Sequence, residues 1–184
     1  KHDSPLVDRL RSELSGEHER LMLYLLQHGR GEGGRDESFS AHKAEDLHRC
    51  IKHGKTMLGG LSGKAEKEVG ELLAQVGPEQ IEDVKSAWEQ SYGQDGSLKS
   101  VLQKRLGGDF EEAVLLLCDP PLDAACACLK RAMDGLGTDE TALSFTLGGA
   151  AKVTAQAINA RYFAKYDQSL VDRLRSEVSG NYLR

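Results

Sequence analysis

Apolar positions recur at helical spacing along most of this chain, and the cleanest stretch follows Pro120-Pro121. Leu122, Cys126, Leu129 and Met133 succeed one another at intervals of four, three and four, which is one apolar face of a helix. Gly135 and Gly137 stop it, as glycine does just past a helix end. Thr138 is placed to cap the next helix, with Asp139 and Glu140 at its positive end, and that helix runs to about Gly148. A third helix, 152–166, carries Val153, Ala157, Ile158, Tyr162 and Tyr166. A fourth carries Leu170, Val171, Leu174 and Val178 on one side, with Gly180 after it.

The preceding stretch repeats this order. Its helices are expected over about 41–57, 64–75, 79–92 and 97–106, broken by Gly59-Gly60, Gly77-Pro78 and Gly107-Gly108. A fifth, 109–118, precedes the Asp119-Pro120-Pro121 break. Ahead of residue 41 only a fourth (5–14) and a fifth helix (17–27) are expected. Between them and the next helix lies HGRGEGGRDESFS, whose glycines and mixed charge read as an exposed linker. The phrase LVDRLRSELSG at 6–16 returns as LVDRLRSEVSG at 170–180, with a diverged copy, LKSVLQKRLGG, at 98–108. Gly108 to Gly180 is 72 residues, which sets the period of a repeat protein. The chain then begins and ends within repeats, which leaves apolar surface uncovered at both ends and is expected of a piece of a longer protein.

Composition narrows the function classes. The 39% hydrophobic and 29% charged residues suit a largely helical globular chain with a real core. The longest apolar run, Ala113–Cys118, is too short to span a bilayer, and the start lacks a signal peptide's apolar core. A net charge of −5 argues against nucleic acid as partner, and against direct electrostatic adhesion to an anionic membrane. Cys50, Cys118, Cys126 and Cys128 fall inside helical patterns without zinc spacing and read as reduced core thiols of an intracellular protein. An enzyme is not expected. No phosphate-binding glycine fingerprint occurs, and His48 and His53 are five apart, not the three or four that would share one ligand face. Trp88 and Tyr92, four apart, are expected in the core.

The chemistry-bearing segment is Met133-Asp-Gly-Leu-Gly-Thr-Asp-Glu140. Calcium takes six to eight oxygen ligands in flexible geometry. Met133, Gly135 and Gly137 alternate, so a glycine-rich turn can present their carbonyls around one point. A hard cation also needs a carboxylate, and Glu177, at the end of the fourth helix of the same unit, is the candidate. Three carbonyls and a bidentate Glu177 leave coordination positions for water or a lipid phosphate.

The period of about 70 residues, the five-helix units, the MDGLGTDE loop, the LRSEVSGNY and LVDRLRSELSG segments and GDFEEAVLLLC together resemble the annexins, over essentially the whole chain. The resemblance implies an all-α fold of five-helix repeats in a right-handed superhelical array. On that register, residues 1–27 are the last two helices of a repeat and 28–40 the long linker that annexins carry there. Residues 41–119 are a complete repeat with a degenerate loop, and 120–184 a repeat with an intact loop but without its final helix. It implies calcium ligation by the carbonyls of Met133, Gly135 and Gly137 with Glu177, the two ends of the site lying 44 residues apart. Thr138 and Glu140 are secondary candidates. Glu19 and Glu111 match the acid that some annexins use just inside the fifth helix.

The middle repeat departs from this pattern. Its loop reads LGGLSGK, 58–64, with Ser62, Gly63 and Lys64 standing where Gly137, Thr138 and Asp139 stand, and Arg105 replaces Glu177. No calcium is expected there; a sharper reading makes Lys64 and Arg105 a basic spot for an anionic head group. Glu13 matches Glu177, but its loop would precede residue 1, so it is expected to be a solvated carboxylate. The implied function is calcium-dependent binding to anionic phospholipid membranes, cytoplasmic and peripheral. The alternative is a calcium-independent structural or cytoskeletal scaffold. Self-association through the incomplete terminal repeats, with helix 17–27 of one copy completing the tail of another, is a further expectation.

Overall fold

The computed structural model describes residues 6–134 and 137–177, and among these the regular structure is helical. The chain divides into two compact units, residues 1–119 and 120–184.

The first unit holds α1 (Leu6–Glu13), α2 (Gly16–His28), α3 (Glu37–His53), α4 (Gly63–Ala74), α5 (Ile81–Tyr92), α6 (Leu98–Gln103) and α7 (Gly108–Leu117). Helix α3 packs on α4 and α5, α2 on α4 and α7, and α6 on α7. Leu47, Val69, Leu73, Val84, Trp88, Leu102 and Val114 are sealed from solvent at their centre. The Trp88 indole donates to the Gly96 carbonyl at 2.9 Å, so its one polar atom is satisfied inside the core.

Three local devices move boundaries away from the sequence expectation. Helix α3 starts at Glu37, not 41, because the Asp36 carboxylate accepts the Phe39 amide at 3.0 Å and caps it. It ends at His53, and residues 55–61 form a tight loop closed by an antiparallel bridge between Lys55 and Leu61. The glycine-rich stretch is also less free than a linker. Gly31 donates to the Ala74 carbonyl at 2.8 Å, and Arg30 donates to the carbonyls of Val76 and Leu117. These are carbonyls at or just past helix C-termini, which a guanidinium can satisfy. Burial pulls the Arg30 guanidinium below its ordinary pKa.

The second unit holds α8 (Pro121–Met133), α9 (Glu140–Gly148), α10 (Lys152–Tyr166) and α11 (Leu170–Glu177). Helix α8 packs on α9, α10 and α11. Its core is Cys126, Leu129, Met133, Leu143, Ile158, Tyr162 and Leu170. Asp123, nearly buried in the first turn of α8, takes the Arg161 guanidinium at 3.0 and 2.7 Å and Lys165 at 3.2 Å. Burial alone would raise its pKa, but the hydrogen bonds from Arg161 and Lys165 outweigh that and hold it below the usual carboxylate value.

Cys50, Cys118, Cys126 and Cys128 are free thiols. Among the described residues no helix is long and apolar enough to cross a membrane.

Candidate functional site

The described residues after α8, from Gly137 to Asp139, are held by backbone geometry. Asp139 donates its amide to the Ala132 carbonyl in the last turn of α8 at 2.8 Å. Gly137 sits at φ +92°, a conformation that a side chain disfavours. Asp139, not Thr138, caps α9: its carboxylate accepts the Ala142 amide at 2.9 Å. Thr138 is engaged elsewhere. Its hydroxyl donates to the Glu177 carboxylate at 3.0 Å and lies 3.4 Å from the Glu177 carbonyl, tying the loop to the end of α11.

Arg173, one helical turn before Glu177, completes the arrangement. Its guanidinium donates from Nη1 to Glu177 Oε1 at 2.9 Å and from Nη2 to the Met133 carbonyl, and lies 3.7 Å from Asp134. One positive group is thus shared by the main-chain oxygen that opens the loop and the carboxylate that lies 44 residues away. Asp134 is also paired with Lys130 at 2.7 Å, and that hydrogen bond raises the lysine's pKa.

Of the residues singled out from sequence, Met133, Thr138 and Glu177 are brought together here. Gly137 lies in the same turn, Glu140 opens α9 with its side chain exposed, and Gly135 lies outside the described residues. Glu19 and Glu111 sit in the first turns of α2 and α7, where a carboxylate complements the helix N-terminus. Glu13 is exposed and lines a small cavity with Glu17, Glu66 and Asp109. Sequence reasoning did not single out Arg173; its i,i+4 spacing to Glu177 on a helix was the available signal.

The donor set suits a hard cation. Among the described residues no group of three or more His, Cys, Asp or Glu side chains is placed to hold a metal ion. The Met133 carbonyl and the Glu177 carboxylate are hard oxygens, and they already converge on one cation, the Arg173 guanidinium.

The equivalent loop of the first unit is closed differently. Arg105 Nη1 donates to the Gly59 carbonyl, and the Leu61 amide donates to the Arg105 carbonyl at 3.2 Å. The residue standing where Glu177 stands thus brings a covalently attached cation to the loop and no carboxylate oxygen.

Comparison with known proteins gives a consistent result. The Annexin family profile matches residues 123–184. Human annexin A13 is 31% identical over 149 residues, covering 81% of this chain and 46% of the relative. Among solved structures, annexin III superposes with a TM-score of 0.79 at 22% identity, over 98% of this chain and 55% of that one. A calcium-bound annexin (Sm)1 superposes with a TM-score of 0.75 at 21% identity, over 100% and 53%. The structural matches establish an annexin-type fold of helical repeats. The chain spans about half the length of the curated relatives it matches.

Proposed function

The chain belongs to the annexin family, whose members in general bind acidic phospholipid membranes in a calcium-dependent way, and from that premise we propose that its second unit is a calcium-dependent membrane contact built on Met133, Gly135, Gly137 and Glu177. On the same reading residues 41–119 form one annexin repeat and the unit from 120 the next. The observation that carries the proposal is the convergence of the Met133 carbonyl and the Glu177 carboxylate on one positive group.

The residues divide the work. The carbonyls of Met133, Gly135 and Gly137 are neutral ligands, so Glu177 supplies the single negative charge of the set. Thr138 orients Glu177 through its hydroxyl, and Gly137 provides the positive φ that the turn requires. Calcium, when bound there, supplies net positive charge and open coordination positions for lipid phosphoryl oxygen. The site offsets the repulsion between an anionic membrane and a chain of net charge −5. Arg173 holds the same oxygens in the absence of a metal and must release them. Thr138 and Glu140 are secondary oxygen sources. Glu19 and Glu111, in first turns of helices, are the weakest of the set. With one intact loop, this chain lacks the multivalency that strengthens membrane binding by repeated weak sites.

Calorimetric titration of the whole chain with calcium tests the site. One saturable event is expected, lost in Glu177→Gln and retained in Glu13→Gln. An event that survives Glu177→Gln overturns the assignment.

A further inference from the structure

We propose that the first unit carries a calcium-independent contact for anionic lipid: the cavity lined by Lys52, Lys55, Lys104 and Arg105 takes a phosphoryl head group, while Met57 and Leu58 enter the apolar edge of the bilayer. The contact is independent of the calcium site and stands or falls separately from it.

Three observations meet at one place. Met57 and Leu58, at the tip of the loop after α3, are 105% and 100% exposed, more than any other large apolar side chain described. A pair of adjacent, fully exposed large apolar side chains marks a contact surface more often than a solvated one, because removing their area from water is favourable. The pair is held out rather than left loose. The Thr56 amide donates to the Gly60 carbonyl at 2.8 Å and the Gly59 amide to the Thr56 carbonyl at 3.0 Å. Leu61 anchors the returning strand in the core, and the Arg105 guanidinium pins Gly59.

Beside this tip is a cavity of about 540 Å³, within the range of small-ligand sites. Lys52, Lys55, Lys104 and Arg105 line it from the end of α3, the loop and the end of α6. Asp95 is the one carboxylate among the lining residues, and it lies 3.5 Å from His48, whose ring stacks on Tyr92 with centroids 3.9 Å apart. Among the described residues no carboxylate lies within ion-pair distance of Lys52, Lys55 or Lys104, so their charge is available to a ligand. A chain of net charge −5 thus concentrates three lysines and Arg105 in one concavity. Four cations against one carboxylate, Asp95, favour a phosphoryl group. The apolar pair next to them selects the lipid-borne form over a free anion. No calcium is needed, because Arg105 already brings a positive charge to the loop carbonyl.

The test is vesicle co-sedimentation in EGTA at low ionic strength, on mixed phosphatidylserine–phosphatidylcholine vesicles and on phosphatidylcholine alone. Wild type is expected to pellet on the anionic vesicles only. Lys52→Glu/Lys104→Glu should lower the bound fraction about tenfold or more, since each basic side chain near an anionic surface contributes comparably. Met57→Ser/Leu58→Ser should lower it severalfold. All four lysine and loop-tip substitutions are at exposed positions, and circular dichroism is the check that each variant folds. Absence of pelleting by wild type overturns the proposal, as does equal pelleting by both paired variants. Loss with the glutamates but not the serines overturns the insertion of the tip. Inorganic phosphate that binds wild type by calorimetry while vesicles do not pellet overturns the assignment to lipid.

Discussion

Replacing Arg173 with glutamine should tighten calcium binding. The guanidinium makes a charge-assisted hydrogen bond to Glu177 at 2.9 Å and a second bond to the Met133 carbonyl, and a metal that takes both oxygens must break both. The Arg173 side chain is 26% exposed and that of Glu177 21%, so solvent screens the pair. The ion pair is then worth about 1 kcal/mol and the carbonyl bond about 0.5 kcal/mol. Asp134, 3.7 Å from the same guanidinium, offers it an alternative partner and recovers part of that total. Removing the competitor should therefore strengthen calcium affinity about 5- to 10-fold. Glutamine keeps good helix propensity and removes the charge, so α11 itself should persist. The assay is calorimetric calcium titration of the whole chain, with Arg175→Gln as the comparison, an exposed arginine whose ion pair is to Asp172. The comparison should change affinity less than about twofold. In EGTA, Arg173→Gln should unfold a few degrees earlier, because Glu177 loses its partner. Unchanged affinity would refute the competition argument. Weaker affinity would show instead that Arg173 positions Glu177 for the metal.

Other consequences follow from the core of each unit. Asp123→Asn should cost about 2 kcal/mol at neutral pH by chemical denaturation. Since the folded-state pKa of Asp123 lies below the unfolded value, its stabilisation is full above the unfolded pKa and fades as pH falls through the folded one. The gap between the two proteins should therefore close as pH falls below the ordinary carboxylate range, and a gap that widens in acid would contradict the pairing. Burial pushes the thiols of Cys50 and Cys118 up to about 12, so at pH near 8 iodoacetamide should label neither until the protein unfolds, read by mass spectrometry. Gly31→Ala would place a Cβ 1.8 Å from the Gln75 carbonyl oxygen, so the backbone must move. That should cost about 2 kcal/mol or more by denaturation, whereas alanine at a free linker position would cost nothing.

Periodicity located the helices because each buries one stripe, and α8 runs Pro121–Met133 where Leu122, Cys126, Leu129 and Met133 mark its face. Boundaries set by a side chain outside the stripe were harder to read. Asp36 starts α3 four residues early, and Asp139 rather than Thr138 caps α9, because the Thr138 hydroxyl is committed to Glu177. The glycine count suggested a free linker, but the hydrogen bonds of Arg30 and Gly31 depend on which carbonyls the fold brings near, which composition does not encode. At the candidate site, the meeting of Glu177 with the loop was legible through the resemblance, which gives the spacing of 44 residues its meaning. Arg173 was not, since a polar residue on a solvated face looks alike whether or not a carbonyl lies within reach. The basic cavity joins Lys52 to Lys104 and Arg105 across half a hundred positions of sequence, and only packing of α3, α5 and α6 assembles it.

The central claim is that Glu177 completes a calcium bridge to anionic lipid. Its most direct test is co-sedimentation with phosphatidylserine vesicles at physiological ionic strength, where the quantity read is the increment that calcium produces over EGTA. The account predicts a clear increment for the wild-type chain and none for Glu177→Gln. An equal increment in both proteins, or none in the wild type, would contradict it.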